Sequence, residues 1–239
     1  MIYTYDYNFV IMLVSSKYGL RNVSEKSIEI NVLNELASFL WSRYKLTTTV
    51  ISPTQVEEKN LCFDDIIEGL PSGLVLAIQF KRPYAMRRPR HVVKFTALTR
   101  QLSRLSNIFL PNEAFLFLTP LTTNNSLVSH RLGLLKITVA LGVHLIPNVR
   151  KTSQTTRTIR VYPPTGGSRI PQVKVSDPRR FEEAKNVVTV AQLAKNISNS
   201  EAGHRISQDR EARERGERIG VRHVYYLHVS RFGYPKHKW

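Results

Sequence analysis

The stretch FDDIIEGLPSGLVLAIQFKRP, Phe63 to Pro83, contains the clearest strand pair in this chain. Residues 61–67 and 74–81 are apolar runs of strand length. Between them stands Glu68-Gly69-Leu70-Pro71-Ser72-Gly73, a turn by composition. A turn this short makes the two runs hairpin neighbours. Gln79 and Lys81 are two apart and project from one face of the second strand, while Phe80 points to the other face and into the core. The pairing brings an aspartate, Asp64 or Asp65, close to Gln79 and Lys81.

Upstream, Ser24 is an N-cap, and Ile28, Val32, Leu33, Leu36, Phe39 and Leu40 recur at helical spacing as far as Arg43 or Tyr44. Glu25 and Glu29 are four apart on one face of this helix. The β-branched segment 47–52, closed by Pro53, is a strand. Residues 1–23 read as an extended lead.

Downstream, Pro83 and Pro89 bracket a basic loop. Residues 91–107 are expected to form a helix with Val92, Phe95, Leu98, Leu102 and Leu105 on one face. A short buried strand follows at 114–118, then a helix at 127–141 and a strand at 143–146. The leading order is helix, strand, strand, strand, helix, strand. Beyond Pro147 the prolines and glycines of 148–180 suggest an arm or linker. A helix is expected within 179–198 and a polar, charge-laced one over 201–219. The organisation expected is a core at 1–147 and a basic extension at 148–239.

The chain has 239 residues, 42% of them hydrophobic, and a net charge of +17. That apolar content is enough for a packed core and excludes a disordered chain. No stretch approaches the ~20 apolar residues of a bilayer span, so no membrane partner is expected. The single cysteine, Cys62, excludes a disulfide scaffold and a multi-cysteine zinc site, and points to a reducing, cytoplasmic setting. The charge is unevenly spread. Residues 1–80 hold 6 basic and 9 acidic side chains, and residues 81–239 hold 29 and 9. The block Lys81, Arg82, Arg87, Arg88, Arg90, Lys94, Arg100 and Arg104 runs to residue 110 without an acid. Such a field suits phosphate contacts and nucleic acid, DNA foremost and RNA as the other choice.

Acids beside a lysine at the edge of such a field suit one chemistry. Phosphodiester hydrolysis needs negative charge neutralised and water activated, and oxygen ligands can hold Mg²⁺ for both purposes. A nearby lysine can orient or deprotonate the water.

The stretch Phe63 to Pro83, preceded by the helix SEKSIEINVLNELASFLW, resembles the PD-(D/E)xK nuclease superfamily over about residues 24–146. The resemblance implies an α/β, restriction-endonuclease-like fold: an αβββαβ core with a mixed central sheet flanked by helices, here followed by the basic extension. The family aspartate falls on Asp64, with Asp65 as the other register. Its Glu-x-Lys element falls on Gln79-Phe80-Lys81, and its helix acid on Glu25, with Glu29 as the alternative. The implied activity is a Mg²⁺-dependent DNA endonuclease, with Mn²⁺ as a substitute ion; a basic surface that lacks a visible base-reading motif suits structure-selective cleavage of junctions or flaps. Glu25, Asp64 and Gln79 would bind metal and Lys81 would assist the water. Arg82, Arg87, Arg88, Arg90 and Lys94 would hold phosphates, and a homodimer is compatible. The chain departs from the pattern at Gln79, where the family has glutamate. Its carbonyl can coordinate a hard cation but brings no charge. The alternative is therefore a nuclease-fold protein with a weakened or inactive site that binds DNA or RNA.

Overall fold

Ser24 starts the first helix, α1 (Glu25–Tyr44). Its hydroxyl accepts from the Ser27 amide at 3.0 Å, satisfying one of the donors that a helix start leaves orphaned. Ile28, Val32, Leu33, Leu36 and Leu40 make the buried stripe. The helix stops where Lys45 turns left-handed at φ 56°, and the Lys45 amide donates to the Trp41 carbonyl at 3.0 Å.

The computed structural model describes residues 22–52, 64–68, 74–86, 91–109, 111–147, 155–163, 170–176, 181–185, 187–199 and 204–205. In chain order the strands are β1 (Thr49–Ile51), β2 (Asp65–Glu68), β3 (Leu74–Phe80), β4 (Tyr84–Ala85), β5 (Val93–Leu98) and β6 (Ala114–Leu118). They continue as β7 (Val139–Gly142), β8 (Thr156–Tyr162), β9 (Gln172–Ser176), β10 (Phe181–Glu183), β11 (Val188–Thr189) and β12 (His204–Arg205). The further helices are α2 (Thr99–Ile108), α3 (Asn124–Ser129), α4 (Leu134–Ile137) and α5 (Val190–Ser198).

The described residues are mixed α/β and form two sheets. The first runs β1-β2-β3-β6-β7-β11, with β12 added alongside β3. In it β3 and β6 are parallel, with Gln79 beside Leu116 and Phe80 beside Phe117; the other pairings are antiparallel. The parallel pair requires a crossover, which contains β4, β5 and α2. The second sheet runs β10-β9-β8-β5-β4 and is antiparallel throughout.

Two apolar cores result. One lies between the α1, α4 and α5 helices and one face of the first sheet, and contains Leu76, Ile78, Phe80 and Phe117. Phe80 and Phe117 meet edge to face at 5.5 Å. The other lies between the opposite face, α2 and the second sheet, and contains Ala77, Leu116, Phe95, Leu102, Ile159 and Val175. Strand β3 is thus buried on both sides, which explains its nearly unbroken apolar run.

Several expected elements differ. Residues 93–98 are strand, not the start of a helix. Val93, Phe95 and Ala97 point inward, and Leu98, expected in the core, is half exposed. The segment fits either period, and its pairing with β8 decides. The expected helix at 127–141 is divided: α3 ends at Ser129, α4 starts after Gly133, and the chain is already strand at Val139. The strand expected at 143–146 is a 3₁₀ turn.

The stretch 148–180, expected as a linker, contributes β8 and β9, so strand pairing crosses the boundary at residue 147. Arg157 in β8 is wholly buried. Its guanidinium donates to the Ser176 carbonyl and, at 3.0 Å, to that of Pro147. A buried cation needs such partners. Within 179–198 only Val190–Ser198 is helical, preceded by β10 and β11. Within the helix expected at 201–219, His204–Arg205 is strand β12, paired with β3; the rest of that stretch, the lead up to residue 21, Cys62 and the end from Val221 lie outside the described residues. No helix among the described residues is long and apolar enough to cross a membrane.

If β8 is a core strand, Ile159→Ala should cost about 2–5 kcal/mol in urea unfolding, as buried aliphatic truncations do. A cost under about 0.5 kcal/mol, typical of surface changes, would contradict its place in the core.

Candidate functional site

The β2–β3 ladder sets Asp65 opposite Ile78, and the Asp64 amide donates to the Ile78 carbonyl at 2.9 Å. Asp64 therefore sits just before β2, beside the end of β3. Its carboxylate is held twice there. Oδ2 accepts from the Phe80 backbone amide at 2.5 Å, and Oδ1 accepts from Gln79 Nε2 at 2.6 Å. Asp64 is half-buried, whereas Gln79 is only 1% exposed. Gln79 Nε2 also donates to the Phe80 carbonyl at 3.3 Å. The amide oxygen, Oε1, is buried and has no hydrogen-bond partner among the described residues. An unmet carbonyl in such a place is costly. Which amide atom is oxygen follows from the hydrogen bonds it makes, and a half-turn of the group exchanges the two.

These residues lie at the carboxyl end of β3, in the parallel pair with β6, where open α/β sheets bind ligands. The start of α1 is tied to the same end. The Val23 amide donates to the Thr122 carbonyl at 3.2 Å, just past β6, and Asn22 bridges to Thr123. Glu25 and Glu29 are thereby carried to this end of the sheet. Glu25 is half-buried; Glu29 is only 6% exposed and pairs with Lys26. Lys81 is half-buried and follows β3 directly.

Among the described residues, no three histidine, cysteine, aspartate or glutamate side chains converge as a metal-binding group. Glu25, Glu29 and Asp64 do not form such a trio. The Gln79 nitrogen, and not its oxygen, faces the Asp64 carboxylate and the Phe80 carbonyl; a half-turn of the amide would bring an oxygen from each of Asp64, Gln79 and Phe80 together there. Hard cations such as Mg²⁺ and Ca²⁺ take oxygen donors of these kinds. The unmet Gln79 oxygen fits an electropositive partner.

Of the expected phosphate contacts, Arg82 is exposed, with its guanidinium 5.5 Å from the Tyr84 ring. Lys94 is half-buried on β5. Arg87, Arg88 and Arg90 lie outside the described residues, as does the side chain of Asp65. Reading the sequence assigned Phe80 to the core alone and missed its backbone, which anchors the carboxylate. The signal was available, because an aspartate preceding one hairpin strand can reach the amides that end its partner.

Compared with protein-family models, curated proteins and solved structures, the chain matches none.

Asp64→Ala would strip acceptors from the Phe80 amide and the Gln79 side chain, a loss worth about 1–3 kcal/mol in denaturant unfolding. Hydrogen exchange at the Phe80 amide should accelerate in parallel. Unchanged protection there would contradict the anchoring.

Proposed function

We propose that the protein is a metal-dependent DNA endonuclease of the PD-(D/E)xK kind, with a restriction-endonuclease-like core. The observation that carries this reading is the Asp64–Gln79–Phe80 cluster, with the buried Gln79 oxygen left unmet at the carboxyl end of β3. The element order over 25–118 supports it: α1, β1, β2 and β3, then α2 and β6, once the β4–β5 pair is set aside.

In this reading the Gln79 amide would turn by half, and Asp64, the Gln79 oxygen and the Phe80 carbonyl would then hold Mg²⁺, with Glu25 or Glu29 adding charge. The ion supplies charge neutralisation at the phosphate and a more acidic bound water. The protein's own residues do the rest. The Phe80 amide fixes the orientation of the Asp64 carboxylate. Gln79, walled in by the core, cannot swing into solvent. Lys81 sits one residue beyond the cluster, where an ammonium can orient the attacking water or offset charge on the phosphate. Arg82 and Lys94, with Arg87, Arg88 and Arg90, would hold the strand.

One observation favours a second reading. Gln79 Nε2 already donates to Asp64 Oδ1 at 2.6 Å, so that oxygen is hydrogen-bonded without an ion. That suits a nuclease-fold protein that binds DNA and cuts it weakly or not at all.

Cleavage of branched, single-stranded and duplex DNA, with Mg²⁺, Mn²⁺ or EDTA, separates the two. Metal-dependent cutting abolished by Asp64→Ala and by Lys81→Ala is expected. Binding without cutting in either metal favours the second reading. Gln79→Glu gives a test apart from activity. A second carboxylate beside Asp64 should lower Tm in EDTA by several degrees, through like-charge repulsion. Added Mg²⁺ should then raise Tm more in this variant than in the wild type. An equal response in both proteins would argue against an ion at this cluster.

A further inference from the structure

The second sheet carries a row of side chains of which the endonuclease reading uses only Lys94. Along β5, β8 and β9 alternate residues face inward: Val93, Phe95 and Ala97, then Ile159 and Val161, then Val173 and Val175. The residues between them form the outer face. The register aligns one row of it straight across five strands. Tyr84 lies opposite Lys94, Lys94 opposite Arg160, Arg160 opposite Lys174, and Lys174 opposite Glu183.

Three cations side by side on neighbouring strands repel, and such rows are unfavourable without an anion to meet them. Glu183 offsets only the last. Aromatic rings are interleaved with the cations. Arg160 lies 3.8 Å from the centre of the Phe181 ring, and Lys174 lies 5.4 Å from that of Tyr162. Tyr84 is 47% exposed at the open edge, below Arg82. Arg160 Nε is buried and has no hydrogen-bond partner among the described residues. The positive charge of the row would suit an anionic membrane, but the row lacks the apolar side chains that would enter a lipid interface. Rings on the outer face of a sheet, Tyr84 exposed and Tyr162 and Phe181 half-buried, alternating with cations, suit unpaired bases stacked above and phosphates between. A duplex hides its base faces and would leave the rings unused.

We infer that the outer face of the β4–β5–β8–β9–β10 sheet binds single-stranded DNA, its phosphates on Lys94, Arg160 and Lys174 and its bases on Tyr84 and Tyr162. The choice of DNA rests on the endonuclease reading; the single-strand geometry rests on the sheet alone. Only four residues separate Gln79 from Tyr84, so a strand on this face can run toward the Asp64 cluster.

The test is fluorescence anisotropy with the full chain and labelled oligo(dT) in EDTA, where cutting plays no part. Lys94→Gln with Lys174→Gln should weaken binding about tenfold. It should also lower the slope of log affinity against log salt by about 0.7 for each cation removed. Tyr84→Ala should weaken binding severalfold and leave the slope unchanged. Photocrosslinking of a bromodeoxyuridine oligonucleotide to the unmutated chain should label peptides containing Tyr84 or Tyr162, which guards against variants that misfold. Unchanged affinity in the variants, crosslinks confined elsewhere, or tighter binding of duplex DNA or oligo(rU) would overturn the inference. A protein that binds oligo(dT) through this face yet never cuts defeats the endonuclease reading alone.

Discussion

A primary amide buried at the end of a central strand must find its partners inside the protein, because water cannot reach it. Gln79 is in that position, and much of the local structure answers it. Its nitrogen is met by Asp64 and by the Phe80 carbonyl, and the Phe80 amide holds the other carboxylate oxygen. Asp64 can occupy this place only because the β2–β3 ladder fixes it beside the end of β3. The remaining amide oxygen has no hydrogen-bond partner among the described residues.

The two sheets are woven from one chain, and that arrangement gives the cluster its setting. The chain leaves β3, lays down β4 and β5 in the second sheet, and returns through α2 to pair β6 beside β3. It later returns to the second sheet with β8, β9 and β10 before closing the first with β11. Core packing on both faces of β3 is the consequence. The acid-bearing end of β3 and the basic outer face of the second sheet are therefore joined by a short piece of backbone, Lys81 to Tyr84. The sign change in the sequence at Lys81 marks that junction.

What could be read from sequence followed from how local the interactions are. The α1 helix was readable because its cap and its apolar stripe are both local. The nearness of Asp64 to Gln79 was readable because a short turn and a period of two leave few registers. Residues 93–98 misled because Val92, Phe95 and Leu98 keep helical spacing while Val93, Phe95 and Ala97 keep strand spacing. Their partner, β8, is some sixty residues away and lies within a stretch whose prolines and glycines look like a linker. The basic, aromatic row across the second sheet was invisible for the same reason, since Tyr84, Lys94, Arg160 and Lys174 become neighbours only through pairing.

The central claim is that the Asp64–Gln79–Phe80 cluster receives a divalent cation, and paramagnetic broadening tests it most directly. Trace Mn²⁺ is added to ¹⁵N-labelled protein, and the amide signals are followed one by one. The account predicts that the Phe80 backbone amide and the Gln79 side-chain amide broaden first, and that excess Mg²⁺ restores them. Sharp signals at both groups while other amides broaden would contradict it.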